Sequence, residues 1–254
     1  MNDTYSDARA REWISRSNAP EYQKAYQTIV RTTPDVSQGT VLEFGIGPGN
    51  LLVEIKKQRN PRLLIGIDAS GIMLDAARER LAPFDPKIKI VSPSEFRPDD
   101  EGIVLVRDNV NTCKLPPDIA DLTLFCFPAE RGMDYFPPID EMLEDEFYDI
   151  FPHGHLDPSL LIRLRADYHI ARTTKLLGRS TLVLYEYFVS KELERSWEKI
   201  EKGISRINGL EVKSHKFFDS PKIWADTDDA KEMTVEGIRS GYRIIQRHKL
   251  FRNI

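Results

Sequence analysis

Residues 41–50 read VLEFGIGPGN, with one acidic side chain, Glu43, two positions ahead of three glycines at alternate positions, Gly45, Gly47 and Gly49. Glycine in a regular element costs roughly 0.5–1 kcal/mol relative to alanine, so three within five residues mark a backbone that a ligand must approach closely. A glycine turn that leaves a strand and opens a helix is how doubly wound folds seat nucleotide-like ligands, outside the carboxyl ends of the strands. The spacing narrows the ligand. The dinucleotide fingerprint is G-x-G-x-x-G and the triphosphate loop G-x-x-x-x-G-K-[ST]. Here the third glycine comes one residue early and no lysine follows it, so neither a pyrophosphate nor a triphosphate is favoured. Two further carboxylates stand in comparable places. Asp68 ends the apolar run LLIGID and is followed by Ala69, and Asp108, with Asn109 beside it, follows the run GIVLV.

The elements needed to position these residues can be read from the same pattern. TVLEF and RLLIGID read as strands, and NLLVEIKKQ and GIMLDAARERL as helices, an alternation that makes parallel strands with crossover helices. Residues 103–106 are taken as the third strand and IKIV as an added one. DLTLFCF and STLVLYEYF follow as strands, with a helix over 158–177 before the second that Gly178 would cap. After the charged helix KELERSWEKIEKGI come two β-rich segments, LEVKSHKFF and YRIIQRHKLF, which can pair antiparallel at the sheet edge. Residues 1–38 form a helical cap, with Trp13, Ile14, Tyr22, Tyr26, Ile29 and Val30 at partly helical spacing. No repeat, low-complexity tract or linker interrupts the chain, so residues 1–254 are expected to form a single domain.

Composition excludes some classes of function. A formal charge of -4 gives no general reason to seek a nucleic-acid backbone, which is bound by clustered Lys and Arg. The start of the chain lacks an apolar signal core, and no apolar run approaches the roughly 18 residues that span a bilayer. A cytoplasmic protein with no membrane association is expected. Cys113 and Cys126 make no CxxC pair and are expected to be buried free thiols.

With its leading acid and G-x-G-x-G, EFGIGPG resembles the first motif of the class I S-adenosylmethionine-dependent methyltransferases. The resemblance covers residues 40–130 well and the rest in outline. It implies an α/β fold with a doubly wound, mostly parallel seven-stranded sheet, an antiparallel last strand, N-terminal helices and a long insertion after strand four. It implies that Gly45, Gly47 and Gly49 cradle S-adenosylmethionine, with S-adenosylhomocysteine as product. Asp68, followed by Ala69, then accepts hydrogen bonds from both ribose hydroxyls, each worth about 1.5–3 kcal/mol when charge-assisted. Asp108, next to Asn109, is placed to touch the adenine amino group, and Met73 either flanks the adenine or packs in the core. Glu43 either organises the loop and meets the methionine amino group through water, or serves as a cap or ion-pair partner. Asp68 has its own alternative as a helix N-cap. Asp121 matches the acidic residue that opens the fourth strand.

The segment after that strand, residues 128–158, is the most individual part of the chain. It carries Asp134, Asp140, Glu141 and further carboxylates interleaved with Tyr135, Phe136, Phe147, Tyr148 and Phe151, and no Lys or Arg between Arg131 and Arg163. Placed at the carboxyl edge of the sheet, such a lid suits a planar or amine-bearing acceptor. Tyr135 and Tyr148 are its candidate substrate contacts, with Tyr22 and Tyr26 closing from the cap. His153 and His155 are candidate general bases, since an unperturbed pKa near 6.5 suits an acidic hydroxyl or ring N–H. They sit near Asp157, but a metal site needs further ligands that the sequence does not supply, so no metal is expected. The chain lacks the (Asp/Asn)-Pro-Pro-(Tyr/Phe) motif of the DNA and protein amide methylators, having FCFPAE there. The reading is therefore methyl transfer to an O or N atom of a small-molecule acceptor, with homodimerisation left open. Its rivals are an aminopropyl-type transferase and a silent, cofactor-binding scaffolding partner.

Overall fold

The computed structural model describes residues 7–109, 115–116, 119–126, 181–189, 210–219 and 239–247. Two helices lead, α1 (Asp7–Arg16) and α2 (Pro20–Thr32). Proline at the start of α2 sits where its missing N–H costs nothing. Thr33, held extended by the following Pro34, ends the helix and bonds its hydroxyl back to the Val30 carbonyl at 2.7 Å. One face of α2 buries Tyr22, Ala25, Tyr26, Ile29 and Val30, the helical stripe of an amphipathic element that turns one face inward.

The alternation then runs β1 (Thr40–Phe44), α3 (Asn50–Arg59), β2 (Leu63–Asp68), α4 (Gly71–Leu81), β3 (Lys89–Val91), β4 (Gly102–Arg107) and β5 (Leu122–Cys126). These five strands are all parallel, in the order β3-β4-β2-β1-β5. Strands β1 and β5 are buried along their whole length, which is why they read as near-continuous apolar runs rather than alternating ones. Residues 103–106 lie in β4, paired with β2, and IKIV supplies β3 outside it, as the sequence suggested. Beyond β5 come β6 (Thr181–Val189), β8 (Arg239–Arg247) and β7 (Leu210–Asp219). Strand β6 is parallel to β5, and β8 runs antiparallel to both β6 and β7. With the short β3 at one edge, the sheet has eight strands among the described residues.

The order fixes where a ligand would sit. From β1 the chain winds outward through β2 and β4, then crosses back to lay β5 on the other side of β1. The carboxyl ends of β1 and β5 therefore diverge at a topological switch point, where open α/β sheets form their crevice. At the opposite end, Asp121 secures the start of β1. Its carboxylate accepts from the Thr40 amide at 2.8 Å, and its own amide donates to the Thr40 carbonyl at 2.9 Å. The residue singled out for opening the fourth strand thus lies at the amino end of the sheet, away from the glycines.

Candidate functional site

The glycine loop joins β1 to α3 and folds back on the end of β2. The amides of Gly45 and Ile46 both donate to the Ile67 carbonyl, at 2.8 and 3.1 Å. Gly45, Gly47 and Gly49 all have left-handed backbones, with φ of 65°, 51° and 77°, a conformation that costs other residues roughly 1–2 kcal/mol. Their surroundings differ. A side chain on Gly49 would put its Cβ 3.0 Å from that of Ala77, so this glycine lets α3 pack against α4. A Cβ on Gly47 would lie 3.3 Å from Nε1 of Trp13, and Gly47 is buried. A Cβ on Gly45 would meet nothing within 4 Å, and Gly45 is exposed. Among the three, Gly45 offers open backbone, Gly47 is covered by an indole, and Gly49 serves packing.

Asp68 closes the loop from β2. Its Oδ2 accepts from the Gly47 amide and its Oδ1 from the Ser70 amide, each at 2.9 Å. The helix N-cap of α4 is Ser70, whose hydroxyl accepts from the Met73 amide at 3.4 Å, so Asp68 is not that cap. Ala69 is exposed beside it, and Met73 is buried on the inner face of α4. Asp108 follows β4 in register with β2, its amide bonded to the Asp68 carbonyl at 3.2 Å and its carboxylate accepting from the Asn109 amide at 2.8 Å. Both Asp108 and Asn109 are half-buried. The glycines, Asp68 and Asp108 thus stand in a row at the carboxyl ends of β1, β2 and β4.

Beside this row, a cavity of about 30 Å3 is lined by Trp13, Tyr26, Glu43, Gly45, Asn50 and Cys126 among others. Glu43 points from the buried strand β1, is 3% exposed, and leaves its Oε2 without a hydrogen-bond partner. Burial, with the nearby Asp68 carboxylate adding to it, raises the Glu43 carboxyl well above the usual carboxylate range. Burial and Glu43 likewise hold Cys126 as a thiol. Tyr26 is buried and hydrogen-bonds Asn50; desolvation still drives its hydroxyl pKa upward. Asn50, the first residue of α3, also donates to the Ser17 carbonyl at 3.0 Å and accepts from Arg80. Tyr22 lies in the core behind this wall, with its ring edge-on to Trp13 at 5.4 Å.

Solved structures share this arrangement of strands. The magnesium protoporphyrin IX methyltransferase of Synechocystis PCC 6803, with bound S-adenosylhomocysteine, superposes with a TM-score of 0.55 at 13% identity, over 96% of this chain and 97% of that one. A SAM-dependent methyltransferase from Aquifex aeolicus gives 0.52 at 13% identity, over 92% and 97%. A protein from Pyrococcus horikoshii named as a candidate RNA methyltransferase gives 0.52 at 12% identity, over 91% and 86%. This chain has the S-adenosylmethionine-dependent methyltransferase fold. No family model and no curated protein matches its sequence.

Within the methyltransferase fold, the structure lines the cavity with Glu43, Gly45, Gly47 and Tyr26, sets Asp68 with Ala69 after it, and Asp108 with Asn109, at the neighbouring strand ends, and puts Gly49, Met73 and Tyr22 into packing roles. Tyr135, Tyr148, His153 and His155 lie outside the described residues, as does Cys113. Among the described residues no group of three or more His, Cys, Asp or Glu is placed to hold a metal ion, and no helix is long and apolar enough to cross a membrane. Sequence reasoning missed Trp13, Asn50 and Cys126 as lining residues. Asn50 directly follows the last glycine and Cys126 ends the strand beside β1, so both positions carried a signal. Trp13 carried only an aromatic at helical spacing, which reads as core.

Proposed function

We propose that this protein is an S-adenosylmethionine-dependent methyltransferase acting on an O or N atom of a small-molecule acceptor. The observation that carries the reading is the site's fit to that cofactor. An exposed left-handed Gly45 with open space at its Cβ position stands beside a buried carboxyl, Glu43, whose Oε2 has no partner, at the switch point of the sheet. A buried unsatisfied oxygen costs about 1–3 kcal/mol, and the amino group of a methionine moiety would relieve that cost directly or through water. Asp68 would hold the ribose, a carboxylate having about four acceptor sites and so capacity for loop amides and hydroxyls together. Asp108 and Asn109 would meet the adenine, with Ala69 exposed between them and the loop.

S-Adenosylmethionine supplies a methyl group already activated by its sulfonium. What remains for the chain is to hold an acceptor lone pair in line with it, which is worth roughly 7–11 kcal/mol when alignment is good. In this reading residues 128–158 form the acceptor lid, with Tyr135 and Tyr148 as contacts and His153 or His155 taking the acceptor proton. Tyr26 closes the pocket from α2. We further infer that β4, β2, β1, β5, β6, β8 and β7 make up the seven-stranded sheet of the family with its antiparallel last strand, β3 being an addition.

The test is to incubate the protein with S-adenosylmethionine bearing an isotopically labelled methyl, once with a metabolite extract and once with total RNA. Label in a small-molecule fraction supports the proposal. Label in RNA overturns the acceptor class, and no transfer to either, with no binding of S-adenosylhomocysteine, overturns methyl transfer itself.

A further inference from the structure

The cavity at the glycine loop is about 30 Å3, whereas pockets that enclose small ligands run roughly 300–1,000 Å3. Trp13 is the lining residue that covers the glycine loop at this cavity. Its Nε1 and Cδ1 come within 3.3 and 3.7 Å of the Cβ position on Gly47, so the indole rests on the loop backbone itself. Gly47 is buried beneath it while Gly45, two residues away, is exposed.

The helix that carries Trp13 packs on α4 and against the core through Trp13 itself, but buries less of its surface than α2 does. Asp7, Arg11, Glu12 and Ser15 of α1 are exposed, and Ala10 is its only fully buried residue among those whose burial is described. Helix α2, by contrast, buries a five-residue stripe that includes Tyr22 and Tyr26. Between them, residues 17–19 form a short turn whose Ser17 carbonyl accepts from Asn50 and Gln23. The amides of Ser17 and Ala19 also bond back to the Trp13 and Arg16 carbonyls, each at 2.9 Å, so withdrawing α1 has to bend the chain at this turn, and elements with few buried apolar contacts open at low free energy.

We propose that Trp13 is a gate of the ligand pocket: α1 must withdraw its indole from Gly47 before a nucleoside-bearing ligand can seat on the loop. The inference rests on the cofactor reading above and adds a controlling residue to it. Residues 17–19 are the hinge, the T-shaped contact between the Trp13 and Tyr22 rings is the latch, and α2 stays in place as the fixed wall. Apparent affinity and association rate then scale with the fraction of molecules whose gate is open.

The test combines two measurements on the full chain: stopped-flow association of S-adenosylhomocysteine, and amide hydrogen exchange over residues 45–50 without ligand. They are made on wild type, Trp13→Ala and Trp13→Leu, each checked by thermal melting; Trp13→Leu keeps apolar bulk in case Trp13→Ala fails to fold. If the open state is a minor one of about 0.1–10%, Trp13→Ala accelerates association roughly ten-fold or more, Trp13→Leu falls between, and exchange over the loop rises in both. Folded variants that associate like wild type overturn the gate and leave the cofactor reading standing. If no form of the protein binds S-adenosylhomocysteine yet loop exchange rises, the cofactor reading falls and the covering role of Trp13 stands.

Discussion

The Asp68 carboxylate accepts a hydrogen bond from the Gly47 amide at 2.9 Å while its other oxygen holds the Ser70 amide at the same distance. One side chain at the end of β2 thus fixes both the glycine loop after β1 and the turn into α4. The proposed ribose contact and the observed loop support therefore converge on the same group, and its variants are expected to show both effects.

Asp68→Ala is expected to lower the unfolding free energy by about 1.5–3 kcal/mol, the value of a charge-assisted hydrogen bond, and to weaken S-adenosylhomocysteine binding as well. Urea melts beside binding isotherms check this. Loss of affinity with stability unchanged would show that the amide bonds contribute nothing to the fold.

The glycines should separate by function. Gly45→Ala meets no atom and carries only the left-handed penalty of roughly 1–2 kcal/mol, yet its methyl enters the open ligand side, so affinity should fall roughly ten-fold or more, about 1.4 kcal/mol. Gly49→Ala adds the 3.0 Å encounter with Ala77, an overpacking cost of about 1–3 kcal/mol. The folded fraction of that variant should bind normally. Reversal of the two phenotypes would contradict the assignment of Gly49 to helix packing.

Glu43 makes stability depend on pH. Its carboxyl titrates well above the usual range in the folded protein, whereas the unfolded chain ionises near the ordinary value of about 4.3. Above that value the folded state binds the extra proton, so unfolding free energy falls as pH rises until the folded carboxyl itself ionises. Glu43→Gln removes the dependence. Relative to wild type it should gain stability as pH rises above about 4.3 until the folded Glu43 carboxyl ionises, read from denaturant midpoints across that range. Parallel pH profiles for the two proteins would show that Glu43 is ionised in the fold.

Asp121 provides a control at the far end of the same sheet. Asp121→Ala breaks the bond to the Thr40 amide and should cost about 1–3 kcal/mol of stability with affinity for S-adenosylhomocysteine unchanged in the folded protein. A specific loss of binding would mean that the amino end of β1 communicates with the loop.

Much of this was legible in the chain because it was encoded locally. TVLEF is β1 to the residue, and the strand–glycine–helix order placed the loop at the crevice without any knowledge of tertiary contacts. Residues 103–106 stood out as an inner strand because β4 is buried at Ile103, Val104, Leu105 and Val106, whereas edge strand β3 is partly exposed. Gly49 could not be told from Gly45 in sequence, since the difference is the presence of Ala77, 28 residues on, packed against one and not the other. Tyr22 and Tyr26 sit one helical turn apart on the same face, yet only the second reaches the cavity. Trp13 was missed for the same reason: its significance lies in a contact with Gly47 that spacing does not reveal.

Isothermal titration calorimetry of the wild-type protein with S-adenosylhomocysteine, repeated in the presence of NAD, tests the central claim most directly. The G-x-G-x-G loop, the partnerless oxygen of Glu43 and the placement of Asp68 predict one-to-one binding of S-adenosylhomocysteine that NAD does not diminish. Binding of NAD with no heat from S-adenosylhomocysteine would contradict the account.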